Sequence, residues 1–408
     1  MPRSGLEVAQ ILRRFGNRYR QQYRGFSPDQ ARVVSRLTSC RTAALGGHVE
    51  ACDSCGYRRI AYNSCRDRHC PTCQGTATAH WLEHERAHLL PVPYSHVVFT
   101  LPHVLAPLAL QNPRVLYGLL FRAAARTLLE IAADPTHLGA LIGFIAILHT
   151  WGQTLVHHPH LHCLVPAGGL APDQSHWVPC RRNFLLPVRV LGTLFRGKYL
   201  ALLEESFRNR ELTFHGELHS LADPAAFARL LREARRRRWV VYAKAPFGGP
   251  EPVLKYLARY THRIAIANSR LLSISDDAIT FTWKDYRHGK RTEPMRLPPC
   301  EFVRRFVLHV LPKGFVRIRR YGLLANAHRD GYLALCHTLL DAPAQPPTTS
   351  EQSPPQATPI ETEAACAGTS CNGHCPACRR GRLRTIEWIP PSRTRESARS
   401  PPAPAIVS

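Results

Sequence analysis

The chain has 408 residues, with 54 Lys and Arg against 29 Asp and Glu, giving a formal charge of +25 and a pI near 10.1. Its longest apolar stretch, Leu138 to Leu148, is too short to span a bilayer, and the charged N-terminus (Arg3, Glu7, Arg13, Arg14) has no apolar secretory region. The composition therefore excludes a membrane-spanning protein and disfavours an enzyme of acidic ligands. It points to a polyanionic partner, nucleic acid first, because Lys and Arg that neutralise phosphates release counterions.

In chain order, residues 5–38 read as mostly helical, with apolar positions at Val8, Ile11, Leu12 and Phe15. A cysteine-rich module follows from Cys40 to Gln74. Tyr94 to Leu101 is β-branched and aromatic, as a buried strand is, and helical patterns run over 103–136. Ile142 to His149 and His160 to Val165 predict two more strands, the second closed by Gly168 and Gly169. Ala225 to Arg238 is a basic helix leading into a strand, Trp239 to Ala243. Pro252 opens a helix through His262. Leu271 to Ile274 and Ile279 to Trp283 form a hairpin, and Phe302 to Leu311 is an amphipathic helix. Beyond Asp341 the composition changes: 12 of the 34 prolines fall in residues 341–408, so this segment is expected to be a largely disordered tail. The expected division is a helical and zinc-binding DNA-binding region (1–92), a catalytic domain (93–335) and the Pro-rich tail (336–408).

Fourteen cysteines in a chain of this length, clustered at close spacings and accompanied by 22 histidines, suit metal binding better than a disulfide framework. Cys163, Cys180, Cys300 and Cys336 stand apart and read as core residues. The pairs Cys52-x2-Cys55 and Cys70-x2-Cys73 have the spacing of two knuckles that close a tetrahedral four-thiolate zinc site, with residues 58–64 between them able to form a hairpin. Cys40, His48, Cys65 and His69 are spare donors, enough for a second ion or another ligand set. In the tail, Cys375 and Cys378 form a further CxxC, which with Cys366 and Cys371 is a possible extra zinc knuckle. Arg58, Arg59, Arg66 and Arg68 beside the first module suit phosphate contact.

Two features carry chemistry. His160 and His162, two apart on a predicted strand, share one face, with Leu161 turned to the core, so both imidazoles can bind one divalent ion. Gln153 is a candidate third ligand and His149 its rival. Tyr256 and Tyr260, four apart, share a helical face in the company of Lys255, Arg259, His262 and Arg263. A tyrosine hydroxyl is a weak nucleophile until a cation polarises the scissile phosphate. A histidine-bound cation facing tyrosines therefore defines a phosphodiester transesterification site.

The stretches 52–74, 158–170, 255–266 and 302–324 together resemble the rolling-circle insertion-sequence transposases of the HUH (His-hydrophobic-His), two-tyrosine, IS91-like class, over roughly residues 10–330. The resemblance implies an α+β fold: an HUH endonuclease domain with a central antiparallel sheet flanked by helices, the histidine pair on the middle strand, and a small zinc-ribbon domain in front. It implies Mg²⁺ or Mn²⁺ as catalytic ion, structural Zn²⁺ and single-stranded DNA as substrate, including the ends of the element itself and target DNA. His160 and His162 would hold the catalytic ion. Tyr256 and Tyr260 would become linked to the 5′ phosphate, and Cys52, Cys55, Cys70 and Cys73 would bind zinc. Arg259, Arg263, Arg317, Arg319 and Arg320, beside aromatics, are the expected DNA contacts. A plasmid replication initiator or relaxase would use the same chemistry, and a zinc-dependent regulator would use none of it; the zinc module and the lack of a helicase-like extension favour the transposase. The expected setting is the bacterial cytoplasm, at the nucleoid.

Overall fold

The computed structural model describes residues 5–23, 25–181, 185–249, 252–253, 265–285, 289, 291–341 and 374–392. Helices α1 (Val8–Gln22) and α2 (Pro28–Ser39) each begin with a capping box, Glu7 with Gln10 and Ser27 with Gln30, the second followed by Pro28 in the first turn. The hairpin β1 (Gly47–Cys52) and β2 (Arg58–Tyr62) leads through a cysteine-rich loop to α3 (Gln74–Arg86). Then come β3 (Tyr94–Thr100), α4 (Ala106–Gln111), α5 (Pro113–Ala133), β4 (Gly143–Trp151) and β5 (His157–Pro166). A short hairpin, β6 (Gly168–Leu170) with β7 (Trp177–Pro179), precedes α6 (Val188–Arg208), α7 (Pro224–Arg236) and β8 (Val241–Phe247). The chain continues as β9 (Leu271–Ile274), β10 (Ile279–Asp285), β11 (Arg291–Leu297), α8 (Pro299–Val307), β12 (Ile318–Gly322), α9 (Arg329–Asp341) and β13 (Leu383–Ile389).

The fold is α+β around a five-stranded antiparallel sheet of order β12-β4-β5-β3-β8, with β5 in the middle. Strand alternation divides the sheet's side chains between two cores. Phe144, Ala146 and Leu148 of β4, Leu161, Cys163 and Val165 of β5, and Val97 and Phe99 of β3 pack against α5 and α6. On the other face Tyr94, Ile145, Ile147 and Leu164 meet Leu89, Leu90, Val92 and, from α9, Leu333 and Cys336, with Trp81 and Leu82 of α3 alongside. Both faces are covered over much of their length, which is why β4 reads as a continuous apolar run in the sequence.

A third core unites distant parts of the chain. Val8, Ile11, Leu12 and Phe15 of α1 and Val33 and Leu37 of α2 pack with Leu271, Ile279 and Phe281 of the β9-β10-β11 sheet and with Phe302, Val303 and Phe306 of α8. The N-terminal helices thus share a core with residues 265–307 rather than with the zinc-binding hairpin alone.

Several elements differ from the sequence expectations. The central strand β5 begins at His157, and β8 starts at Val241 because Trp239 turns back, its indole N–H donating to the Ala234 carbonyl at the end of α7 (2.9 Å). Strand β11 contains Pro294 and is tolerated because it is an edge. The boundary expected at 335/336 falls inside α9, whose Leu333 and Cys336 are buried. The expected tail also contains structure: residues 374–392 return to the N-terminal hairpin, where β13 adds to β1 in a sheet of order β13-β1-β2.

Candidate functional site

The middle strand presents His160 and His162 on one face, as their two-residue spacing requires. Their neighbour Leu161 is fully buried on the other. Antiparallel register then places His149 of β4 directly opposite His160, and directly paired residues share a face. The result is a triad whose ligand-capable nitrogens all lie within 4.8 Å of one another. Gln153, the expected third ligand, is placed apart from this triad. It lies past the end of β4, with its side-chain oxygen accepting from the Lys284 backbone N–H (3.5 Å) and its carbonyl from Arg270 (2.6 Å). The rival His149 is the residue that lies with His160 and His162.

Outer contacts orient two of the rings. His160 donates from Nδ1 to the His158 carbonyl (2.7 Å), which leaves Nε2 with a free lone pair. His162 Nδ1 meets His96 Nε2 of β3 at 2.8 Å, the two rings stacked at 5.0 Å, which fixes the orientation of the His162 ring. This is the arrangement that metal-binding imidazoles use: one nitrogen held, the other presented. Burial pushes the pKa of His160 down to about 4, and burial with Lys244 nearby does the same to His96. Neutral imidazoles are the form that coordinates. His149 is buried and stacks on Trp151 at 4.6 Å. Three nitrogen donors leave room in the coordination sphere of a divalent ion, the mark of a catalytic rather than a structural site. His96 is the contact of this cluster that the sequence does not show, since only the β3–β5 register brings it beside His162.

Tyr256 and Tyr260, with Arg259 and Arg263, lie outside the described residues. Of the other expected DNA contacts, two are turned into the structure. Alternation on β12 puts Arg320 on the histidine face, where it pairs with the fully buried Glu85 of α3. Arg319 points the opposite way, its guanidinium 4.2 Å from the centre of the Phe121 ring and 5.3 Å from that of Phe315. Burial and the neighbouring Arg68 lower the pKa of Arg317 to about 10. Arg68 itself donates to the Pro312 (3.0 Å) and Phe315 carbonyls, and Arg59 pairs with Glu50 (2.6 Å).

The cysteines form two clusters, and this corrects the expected zinc set. Cys70 and Cys73 do not meet Cys52 and Cys55. They join Cys40, at the end of α2, and Cys65, with sulfur separations of 3.5 Å (Cys40–Cys73), 3.6 Å (Cys40–Cys70) and 3.7 Å (Cys65–Cys73). Cys52 and Cys55 instead face Cys375 and Cys378. The reason is positional: β1 and β2 carry the first knuckle to the far end of the hairpin, away from the loop that holds the second. His69, a spare donor by sequence, is engaged at both nitrogens, with Asp67 at 2.9 Å and with the Leu311 backbone N–H at 3.2 Å. It ties the module to the segment after α8. A tetrahedral site with Zn–S near 2.3 Å has sulfur–sulfur edges of roughly 3.8 Å, and the Cys40 cluster matches it.

This geometry joins a three-histidine cluster on an antiparallel sheet to a four-cysteine module of the kind that binds zinc. Comparison with known proteins gives the class. A family described as "putative transposase" matches residues 143–331, and a transposase zinc-binding domain matches residues 11–101. A protein of Sinorhizobium fredii named "putative transposase y4qJ" is 55% identical over 387 residues, 95% of this chain and 96% of that one. The transposase for insertion sequence element IS801 from Pseudomonas savastanoi pv. phaseolicola is 30% identical over 330 residues, 79% of this chain and 77% of its own. No solved structure matches the chain. The chain belongs to the IS91-type transposase family, whose members cut and transfer DNA strands. Among the described residues no helix is long and apolar enough to cross a membrane.

Proposed function

We propose that the protein cleaves and rejoins single-stranded DNA by tyrosine transesterification, the chemistry of rolling-circle transposition, at the ends of its own element and at target DNA. The observation that carries this reading is the convergence of His149, His160 and His162 on one point of the central strand pair. These residues would hold Mn²⁺ or Mg²⁺, and the all-nitrogen set favours Mn²⁺, since Mg²⁺ prefers oxygen donors. Such a cation, when bound, draws charge from the scissile phosphate.

The chain's own groups do the rest. His96 and the His158 carbonyl hold the imidazoles in the ligating tautomer. The hydroxyl of Tyr256 or Tyr260 attacks phosphorus, loses its proton, becomes bonded to the 5′ phosphate and releases a 3′ hydroxyl. The reverse attack by a 3′ hydroxyl restores a phosphodiester and frees the tyrosine, so no external energy source is needed. Cys40, Cys65, Cys70 and Cys73 would bind a structural zinc, and the excess of basic residues would hold the DNA backbone. The proposed setting is the bacterial cytoplasm.

The test uses 5′- and 3′-labelled single strands copied from the element's ends, incubated with the full chain and Mn²⁺. A covalent protein–DNA adduct is expected on the 5′-phosphate side. It should vanish in the double variant Tyr256→Phe plus Tyr260→Phe, and an adduct that persists there overturns the nucleophile assignment. Loss of cleavage in His149→Ala, with Gln153→Ala active, would separate the two candidates for the third ligand.

A further inference from the structure

We infer that Cys52, Cys55, Cys375 and Cys378 bind a second zinc ion, shared between the two ends of the chain, and that this ion fastens residues 374–392 to the N-terminal hairpin. The four sulfurs lie within 4.8 Å of one another. Cys52 faces Cys378 and Cys55 faces Cys375, both at 3.7 Å. That distance is far beyond the roughly 2.05 Å of a disulfide and close to the roughly 3.8 Å edge of a tetrathiolate zinc site.

The surroundings are those of a built site. Each knuckle turns backbone N–H groups onto its sulfurs: Ser54 onto Cys52, Ala377 onto Cys375 and Gly381 onto Cys378, all at 3.4 Å. These donors stabilise thiolate, the form that binds metal. Gly381 sits so close that a Cβ there would lie 2.5 Å from the Cys52 sulfur. The two knuckles are therefore pressed together without room for any side chain at this position. Hydrophobic packing does not account for the cluster, because Cys55 is exposed and gains little by burial. Four convergent thiols at tetrahedral separation, one of them at the surface, are what a closed zinc site requires.

Polar contacts set the register around it. Asp53 accepts from the Arg382 backbone N–H at 2.8 Å and pairs with Arg384 at 3.4 Å, while β13 runs antiparallel to β1 from Cys52↔Leu383 to Gly47↔Ile389. Docking places the basic residues 379, 380, 382 and 384 and the exposed Trp388 on the zinc-binding module. The matched zinc-binding region, residues 11–101, includes only half of these ligands.

Metal content of the purified full chain tests the inference, and no readout below depends on strand cleavage. Wild type is expected to carry two equivalents of zinc, and Cys375→Ser plus Cys378→Ser to carry one. One equivalent in wild type, or unchanged content in the double variant, overturns it. A second measurement guards against misfolding of that variant. A protease site placed between Asp341 and His374 is cut, and the product is passed over a sizing column. The fragment bearing Cys375 and Cys378 should stay with the body in the otherwise wild-type chain and separate in the double-serine chain. Equal retention in both would show that the strand pairing holds the segment without metal, overturning the fastening role.

Discussion

The histidine face and the cysteine clusters are both convergent donor sets, yet they are built to opposite ends. Each cysteine cluster brings four thiols from turns and helix ends, two or more of them close in sequence, and completes a tetrahedron. The histidine triad brings three imidazoles from two adjacent strands, rings steered by His96, the His158 carbonyl and Trp151, and stops one donor short. A closed set contributes folding free energy and offers nothing to a substrate; an open set contributes less to stability and keeps a position for a phosphate oxygen. The same division appears in the scaffolds. The thiols sit where loops meet, so the metal itself defines the local structure. The imidazoles sit on the most heavily buried strands, where the sheet fixes them before any ion arrives.

That contrast yields graded expectations. The largest effect belongs to Cys40→Ser, which opens the first tetrahedron. Structural zinc contributes an apparent 10–16 kcal/mol or so in small zinc domains, so the module from α2 to α3 should lose its fold, read as loss of one zinc equivalent and a lowered melting temperature. Retention of both would mean that these cysteines are merely packed. Next comes Arg320→Ala. It leaves the buried Glu85 carboxylate with only the His84 imidazole, at 3.6 Å, beside it and should cost about 3 kcal/mol, measured by urea denaturation. If Arg320 instead held DNA, stability would be preserved and the salt dependence of single-strand binding would weaken.

His160→Ala should leave the melting temperature nearly unchanged while cleavage falls by more than about 100-fold, the upper range for losing only an outer partner of a metal ligand. A large loss of stability without loss of cleavage would erase the contrast between the two kinds of site. His96→Ala is such an outer-partner change and should weaken Mn²⁺ activation roughly 10–100-fold, with His96→Gln recovering part of it. Arg319→Ala, removing a guanidinium from the Phe121 and Phe315 rings, should destabilise by only about 1 kcal/mol.

Much of this was legible in the residues. The alternation around Leu161 predicts a strand with both histidines on one face, and the apolar run ending at Leu148 predicts its buried neighbour. The place of His149 is not readable with the same force, because it depends on the β4–β5 register, a one-residue slip of which would turn His149 away. The knuckles were legible individually but not their partners: spacing shows that Cys52 and Cys55 act together, not that they meet a pair near the other end of the chain. Proline content marks 341–408 as largely disordered apart from its cysteine knuckle, and the strand at residues 383–389 carries no clean two-residue alternation that would set it apart. Arg319 and Arg320 looked like DNA contacts because composition carries no direction; only the strand's two faces reveal that one packs on aromatics and the other neutralises a buried carboxylate.

The joining of β13 to β1 has a consequence for how the chain is made. Cys52 and Cys378 are 326 residues apart, so the hairpin's outer edge and the thiols of its knuckle wait while nearly the whole protein is synthesised. At roughly 5–20 residues per second this delay is about 16–65 s. During that time the nascent chain offers an unpaired strand edge beside two free thiols, both open to wrong partners. Completion of the N-terminal region is therefore among the last events of biogenesis, and a ribosome that stops early leaves a product whose first domain is unfinished.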